Sequence, residues 1–367
     1  MKNRPPCSKP ARRAFLRVTA GALVSTSALS VSSARGRERV SCPQVPIPIK
    51  DVQGKVAFIT GGSSGIGLGI ARALSDAGMK IVISYRTREH LSEAMKYLEN
   101  ARERVHAVEL DVTNRDGIQA AAAEAIKVFG KIHVLVNNAG VYALGPFSEA
   151  TRKDWDWMMN VNVGGVFNCL EVFLPHLRAH GEGSQIVTTA SAWGLFAVEN
   201  AAIYCASKAA VIMMMEVLRG ELLPLNIGVS VYCPGAVFSR GWNSQRNRPT
   251  ELGGLSHSTD TSKLAEHEAS GRKLRDTGAL MDPFEAGRIV LEGIRNNYLY
   301  ILSHPEYEGA IRDRSEAVLA SIPAHVQVPE ARLAIAQPTL SNPSYTLERD
   351  RRRCLGRERS PTSKIVR

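Results

Sequence analysis

From Lys55 onward, short apolar runs alternate with amphipathic stretches of ten or more residues, and few folds accommodate that rhythm. Val56–Thr60 is an apolar run ending at glycines, the pattern of a strand buried on both faces. Gly65–Ala77 follows with Ile66, Ile70 and Leu74 at helical spacing and stops at Gly78. The same reading predicts strands at Ile81–Ser84, Val105–Leu110, Val134–Asn137, Gln185–Thr189 and Gly228–Tyr232, with a seventh at Tyr298–Leu302. Helices are expected over about 88–100, 115–129, 152–180 and 201–223. Strands joined by helices imply a single doubly wound parallel α/β sheet of about seven strands with helices on both faces. Ligands of such sheets sit at the carboxyl ends of the strands.

Three regions are expected. Residues 1–50 form a basic leader and a proline-bearing linker, 51–325 the α/β domain, and 326–367 a solvated basic tail. Within the domain, residues 236–283 are polar and break the rhythm, as functional lids do. The net charge of +11 is carried by the ends: residues 1–40 hold +8 and residues 336–367 hold +5, leaving −2 between them. A nucleic-acid groove on the body is therefore not expected. The six cysteines have no CxxC pair and no histidine at zinc-site spacing, so no metal site is expected. Cys169, Cys205 and Cys233 fall in apolar segments and read as buried thiols, as in a core folded in a reducing compartment. No apolar run reaches the roughly 20 residues of a membrane span. Arg12-Arg13-Ala14-Phe15-Leu16-Arg17, a mild stretch to Val31 and the small residues Ser32-Ser33-Ala34 resemble a twin-arginine export signal. The alternative is an ordinary basic leader on a cytoplasmic protein.

The turn Thr60-Gly61-Gly62-Ser63-Ser64-Gly65-Ile66-Gly67 joins the first strand to the first helix. Its glycines permit close backbone approach, and the helix start presents free N–H groups to a pyrophosphate. Such a Rossmann-type turn makes Gly61, Ser63, Ser64, Gly65, Ile66 and Gly67 candidate dinucleotide contacts. An acid closing the second strand would favour NAD. Here the strand ends Ser84-Tyr85-Arg86, and Arg86 suits a 2′-phosphate, so NADP is preferred over NAD.

Tyr204 and Lys208 are four residues apart and share a helix face, thirteen residues after Ser191. A free phenol has a pKa near ~10. A neighbouring ammonium is expected to lower it, so that Tyr204 exchanges a proton with a carbonyl or alcohol. Ser191, just after a strand, is placed to hydrogen-bond the reacting oxygen.

With these motifs the chain resembles a classical short-chain dehydrogenase/reductase over about Lys55–Ser303. Thr60–Gly67 is similar to the family's TGxxxGxG, and Asn137-Asn138-Ala139-Gly140 to its NNAG. The resemblance implies that Asp111, followed by Val112, contacts adenine. It implies that Asn138, Ala139 and Gly140 line the cofactor. It makes Asn162 the catalytic asparagine that holds a relay water, beside Ser191, Tyr204 and Lys208, with Lys208 also on the nicotinamide ribose. Pro234 and Gly235 match the turn after the sixth strand, and Val237 and Ser239 the carboxamide contacts. His133, where an acid often stands, reads as a substitution without consequence.

Tyr142, Trp193 and Phe196 are the candidate substrate residues, among mainly apolar neighbours such as Val141 and Leu144. They suit a lipophilic ketone or secondary alcohol. Trp155, Trp157, Met158 and Met159 precede Asn162 and suit either the family's dimer seam, giving a homodimer or homotetramer, or a core stripe. Two other readings stand beside the oxidoreductase. One is a nucleotide-sensing protein of the same fold without turnover. The other is a basic-tailed protein held at anionic surfaces.

Overall fold

A computed structural model describes residues 42–253, 261–340 and 342–358. The leader, residues 254–260 of the lid and the last nine residues lie outside the described residues, and with them the export motif. Seven strands form one parallel sheet in the order β3-β2-β1-β4-β5-β6-β7. They are β1 (Val56–Ile59), β2 (Lys80–Tyr85), β3 (Val105–Glu109), β4 (Val134–Asn137), β5 (Ser184–Thr189), β6 (Ile227–Cys233) and β7 (Tyr300–Leu302). The helices are α1 (Gly65–Asp76), α2 (Arg88–Tyr97), α3 (Arg115–Phe129), α4 (Arg152–Met159), α5 (Gly165–Ala179), α6 (Ala202–Leu222), α7 (Thr261–Asp276) and α8 (Pro283–Arg295). Beyond β7 come α9 (Glu308–Ala320), α10 (Glu330–Ala336) and α11 (Pro343–Glu358).

Side-chain alternation along the strands divides the core in two. Val56 and Phe58 of β1 face a cluster with Ile118, Phe173 and Met215 from α3, α5 and α6. Ala57 and Ile59 face the other, with Ile70, Leu74 and Val290 from α1 and α8. Phe58 and Phe173 are fully buried with ring centroids 4.6 Å apart. Deleting either ring would cost about 3–5 kcal/mol. The strand order reverses between β1 and β4, so a crevice opens at their carboxyl ends, where the glycine turn and the NNAG segment lie.

Several expectations need correction. The helix expected over 152–180 is interrupted by a wide π turn at Asn160–Gly164. Helical periodicity continues through that turn, so the break is invisible in the sequence; it re-aims Asn162 inward. Trp157 and Met158 enter the core, whereas Trp155 is 39% exposed. The tail expected to be solvated contains α11, whose Glu348 and Arg351 are buried. Arg351 donates to Asn296 O, Arg352 to Tyr300 O, and Tyr345 Oη to Glu216. Basic composition suggested solvent, but these cations cap carbonyls and aromatic rings along the β7 edge; the Arg352 guanidinium lies 3.3 Å from the Tyr298 ring centroid. A disulfide joins Cys42 to Cys354, 312 residues apart, a pairing that only the tertiary fold reveals. The three thiols expected in the core are free: Cys169 and Cys233 are buried and Cys205 is partly exposed.

His133 is not inconsequential. The Val56 amide donates to its Nδ1 at 3.2 Å, so Nε2 carries the proton and donates to Glu182 at 3.1 Å. Lys55 and Lys131 also bind Glu182. His180 is committed likewise, accepting from the Glu182 amide and donating to Ile132 O. His133, His180 and Glu182 lie close enough to suggest a metal site, but their ring nitrogens are occupied in tying the strands' amino ends together.

Candidate active site

The crevice is a cleft of about 600 Å³, lined from the glycine turn through β4 and β5 to the lid. Its floor is built by hydrogen bonds among strand ends. Asn138 and Ala139 donate their backbone N–H groups to Thr60 Oγ1 at 2.8 and 3.0 Å. The Asn138 side chain donates to the carbonyls of Thr60 and Gly61 and accepts from Thr189. Ser84 Oγ accepts from the Gly61 amide at 3.0 Å. The NNAG segment is therefore a brace that fixes the phosphate turn from the neighbouring strand.

The turn fits a pyrophosphate. Gly61 and Gly65 have φ of +62° and +51°, and a Cβ on Gly67 would stand 2.3 Å from Gly61 O. Ser64 caps α1 without a side-chain hydrogen bond, so the helix start keeps donors for a ligand. Gly61, Ser63, Ser64, Gly65 and Ile66 line the cleft; Gly67 lies behind them, where its lack of a side chain lets the helix approach the turn. Tyr85, Arg86, Asp111 and Val112 line one end. There Arg86 Nη2 lies 3.3 Å from Asp111 Oδ2, while Asp111 Oδ1 accepts from Thr113. The residues expected to hold a 2′-phosphate and adenine thus form an ion pair, with both side chains still substantially exposed. Ala139, Gly140, Pro234, Gly235, Val237 and Ser239 continue the lining.

Ser191, Tyr204 and Lys208 converge on the other end of the same cleft. Lys208 Nζ lies 5.7 Å from the Tyr204 ring centroid and donates to Thr189 O at 3.1 Å. Burial pushes the Tyr204 phenol up to about 12, against the pull of a hydrogen bond with Ser191. Burial also holds Lys208 down to about 8. Desolvation dominates the phenol, and the only group that pulls it down is Ser191, not the Lys208 ammonium that was expected to lower it. Asn162 does not line the cleft. It is buried, donates to Val141 O and Ser207 Oγ, and accepts from the Val141 amide at 2.9 Å. Its visible work is to hold the Gly140–Val141 wall against α6.

Tyr142 and Trp193 flank Tyr204, with ring centroids 5.6 and 6.1 Å away. Phe196 stands one layer back, its ring tilted against that of Tyr307 with centroids 5.5 Å apart, and Tyr307 itself lines the cleft. Tyr307 and the lid residues Arg240 and Arg246 had no sequence signal, because they lie outside any motif. His90, also in the lining, is held below its usual value by burial and by those two arginines.

The chain matches the family model for short chain dehydrogenase over residues 55–249. It is 35% identical over 286 residues to a C alpha-dehydrogenase of a Sphingobium species, covering 77% of this chain and 91% of that protein. A short chain dehydrogenase/reductase of Burkholderia phymatum, solved with NAD, superposes with a TM-score of 0.66 at 33% identity, covering 76% of this chain and 99% of that one. A putative short-chain dehydrogenase of Novosphingobium aromaticivorans gives the same score at 29% identity, covering 83% and 100%.

Proposed function

The chain belongs to the short-chain dehydrogenase family, and from that membership we propose that it interconverts a lipophilic ketone and its secondary alcohol with NADP. Membership makes it a nicotinamide-dependent oxidoreductase acting on a CH–OH group. The proposal rests on the convergence of Ser191, Tyr204 and Lys208 on the cleft that also holds the glycine turn.

Bound nicotinamide supplies or accepts the hydride. The protein's part is to move the proton and orient the oxygen. A phenol held near 12 is protonated at neutral pH, so Tyr204 is ready to donate to a carbonyl oxygen. Ser191 Oγ accepts from the Trp193 amide at 3.2 Å, which fixes the hydroxyl for a second hydrogen bond to the same substrate oxygen. Buried Lys208 supplies a donor beside the phenol. Tyr142, Leu144, Trp193, Phe238 and Leu274 give the mouth an apolar lining suited to a lipophilic substrate. NADP is favoured by Arg86 and by the lack of a carboxylate at the end of β2.

The test is reduction of a panel of lipophilic ketones with NADPH and with NADH. Tyr204→Phe should lose about 10²–10⁴-fold in turnover while still binding cofactor. Unchanged turnover would remove the catalytic assignment. Arg86→Ala should weaken NADPH more than NADH; equal weakening argues against the 2′-phosphate role.

We also propose export through the twin-arginine motif. The Cys42–Cys354 bridge supports it, since disulfides persist in oxidising compartments. Sequencing the mature N-terminus decides: a start near Arg35 is expected, and an intact leader in the cytosol would overturn it.

A further inference from the structure

The backbone of Pro234–Val237, which lines the cleft, is pinned by three neighbours. Pro234 O accepts from the Ala192 amide at 2.9 Å, next to Ser191. Ala236 O accepts from the Met281 amide at 3.0 Å, and Val237 pairs with Met281. The third neighbour is a side chain, His304, from the segment that follows β7. The Gly235 amide donates to its Nδ1 at 3.0 Å, and its Nε2 lies 3.3 Å from Ala236 O. An amide can only donate, so Nδ1 is the acceptor, and Nε2 carries the proton and donates to Ala236 O. Ser303 Oγ lies 2.8 Å from the same Nδ1 and 3.1 Å from Tyr232 Oη, which ties the ring to β6. Among the described residues no other side chain hydrogen-bonds the backbone of Pro234–Val237.

Shape adds to the bonding. A Cβ on Gly235 would stand 2.7 Å from His304 Cγ and Cδ2 and 2.4 Å from Tyr307 Cε2, so the glycine lets two rings close on the turn. The His304 and Tyr307 rings lie 6.0 Å apart at 28°, and Tyr307 leans on Phe196. One neutral imidazole thus grips two successive residues, the N–H of Gly235 and the C=O of Ala236, and the turn cannot pivot without breaking a bond. Given the nicotinamide cofactor proposed for this cleft, on which the inference rests, we propose that His304 is a positioning residue: it sets the backbone of Gly235 and Ala236 against which the nicotinamide end of the cofactor rests. A hydride donor must be held closely, since a shift of about 1 Å at the reacting group costs on the order of 10²-fold in rate. The effect of His304 is therefore confined to the nicotinamide end. A residue that merely supported the fold would act equally on the adenosine end, which Arg86 and Asp111 line some distance along the cleft.

The test is calorimetric binding of NADP⁺ and of 2′-phospho-ADP-ribose, the same nucleotide without nicotinamide, to the full chain and its His304 variants. His304→Ala is expected to weaken NADP⁺ about tenfold, as the loss of two ordinary hydrogen bonds would, and to leave the fragment unchanged. His304→Asn, whose Oδ1 can still accept from Gly235, should bind NADP⁺ within about threefold of wild type. His304→Gln, which leaves the Gly235 amide without its acceptor, should weaken NADP⁺ about fivefold, and it replaces the alanine variant should that one not fold. Equal weakening of NADP⁺ and the fragment makes His304 a support for the whole cleft and overturns the proposal. Unchanged NADP⁺ binding by the alanine or glutamine variant overturns it too. A wild type that takes NAD⁺ and not NADP⁺ refutes the cofactor preference alone, and the same comparison then runs with NAD⁺ and ADP-ribose. A wild type that binds no nicotinamide nucleotide refutes the proposed function and this role together.

Discussion

Arg240 of the lid segment and Glu93 of α2 form an ion pair of 2.8 Å across 147 residues of sequence. The pair joins the segment that begins at Ser239, whose Cβ packs on Gly65, to the helix behind Arg86. It ties the start of the lid to the helix that follows the Arg86 end of the cleft.

The pair is partly exposed, so its strength is on the order of 0–1 kcal/mol. Glu93→Gln is expected to raise the cofactor KM by up to about fivefold and to speed cofactor release, with the fold unchanged. Stopped-flow displacement of bound cofactor measures the rate. No change in release would mean that the latch does not govern lid opening.

Lys208 illustrates how the site trades stability for chemistry. Its folded value is about 8 against 10.5 when exposed, so between those values the unfolded chain binds more protons and stability rises with pH. Below about pH 8 the buried charge costs the full amount, on the order of 3 kcal/mol. Lys208→Met should therefore raise the thermal midpoint at pH 7, lose that advantage by about pH 10.5, and abolish turnover. A variant less stable than wild type at pH 7 would show that the Thr189 hydrogen bond outweighs desolvation.

Lys131, Lys55 and His133 hold the Glu182 carboxyl well below its ordinary value. That stabilisation is complete above the unfolded value of 4.5 and is lost as pH falls through the folded value. Burial lowers His133 too, so its contribution is complete above 6.5 and declines as pH falls. Glu182→Gln should lower the thermal midpoint at pH 7, and the gap from wild type should narrow toward pH 2. Parallel melting curves across that range would separate Glu182 from acid denaturation.

Reduction of the Cys42–Cys354 bridge should release α11 from the start of the domain. Closing so long a loop is expected to contribute about 2–5 kcal/mol. Dithiothreitol, or Cys354→Ser, should lower the denaturant midpoint and raise exchange in α11 and around Val45–Ile49. Equal midpoints with and without reductant would show that the docked arginines alone hold the helix.

The sheet, the glycine turn and the trio of Ser191, Tyr204 and Lys208 are legible in local stretches of the sequence. Strand burial and helix periodicity are local patterns, and each motif lies within a few residues of chain, so Val56–Thr60, Thr60–Gly67 and Tyr204/Lys208 announce themselves in the sequence. The remainder depends on distant residues meeting, and only the folded chain shows it. Asn162, turned inward by the wide turn at Asn160–Gly164, is held there by Val141 and Ser207, partners that no local pattern announces. Phenol and ammonium values follow from burial, which no spacing reports. Arg351 and Arg352 read as solvated charges until the carbonyls and rings of the β7 edge lie beneath them. Cys42 and Cys354 have no common signature, because a covalent bond across the whole domain depends only on where the fold delivers its two ends.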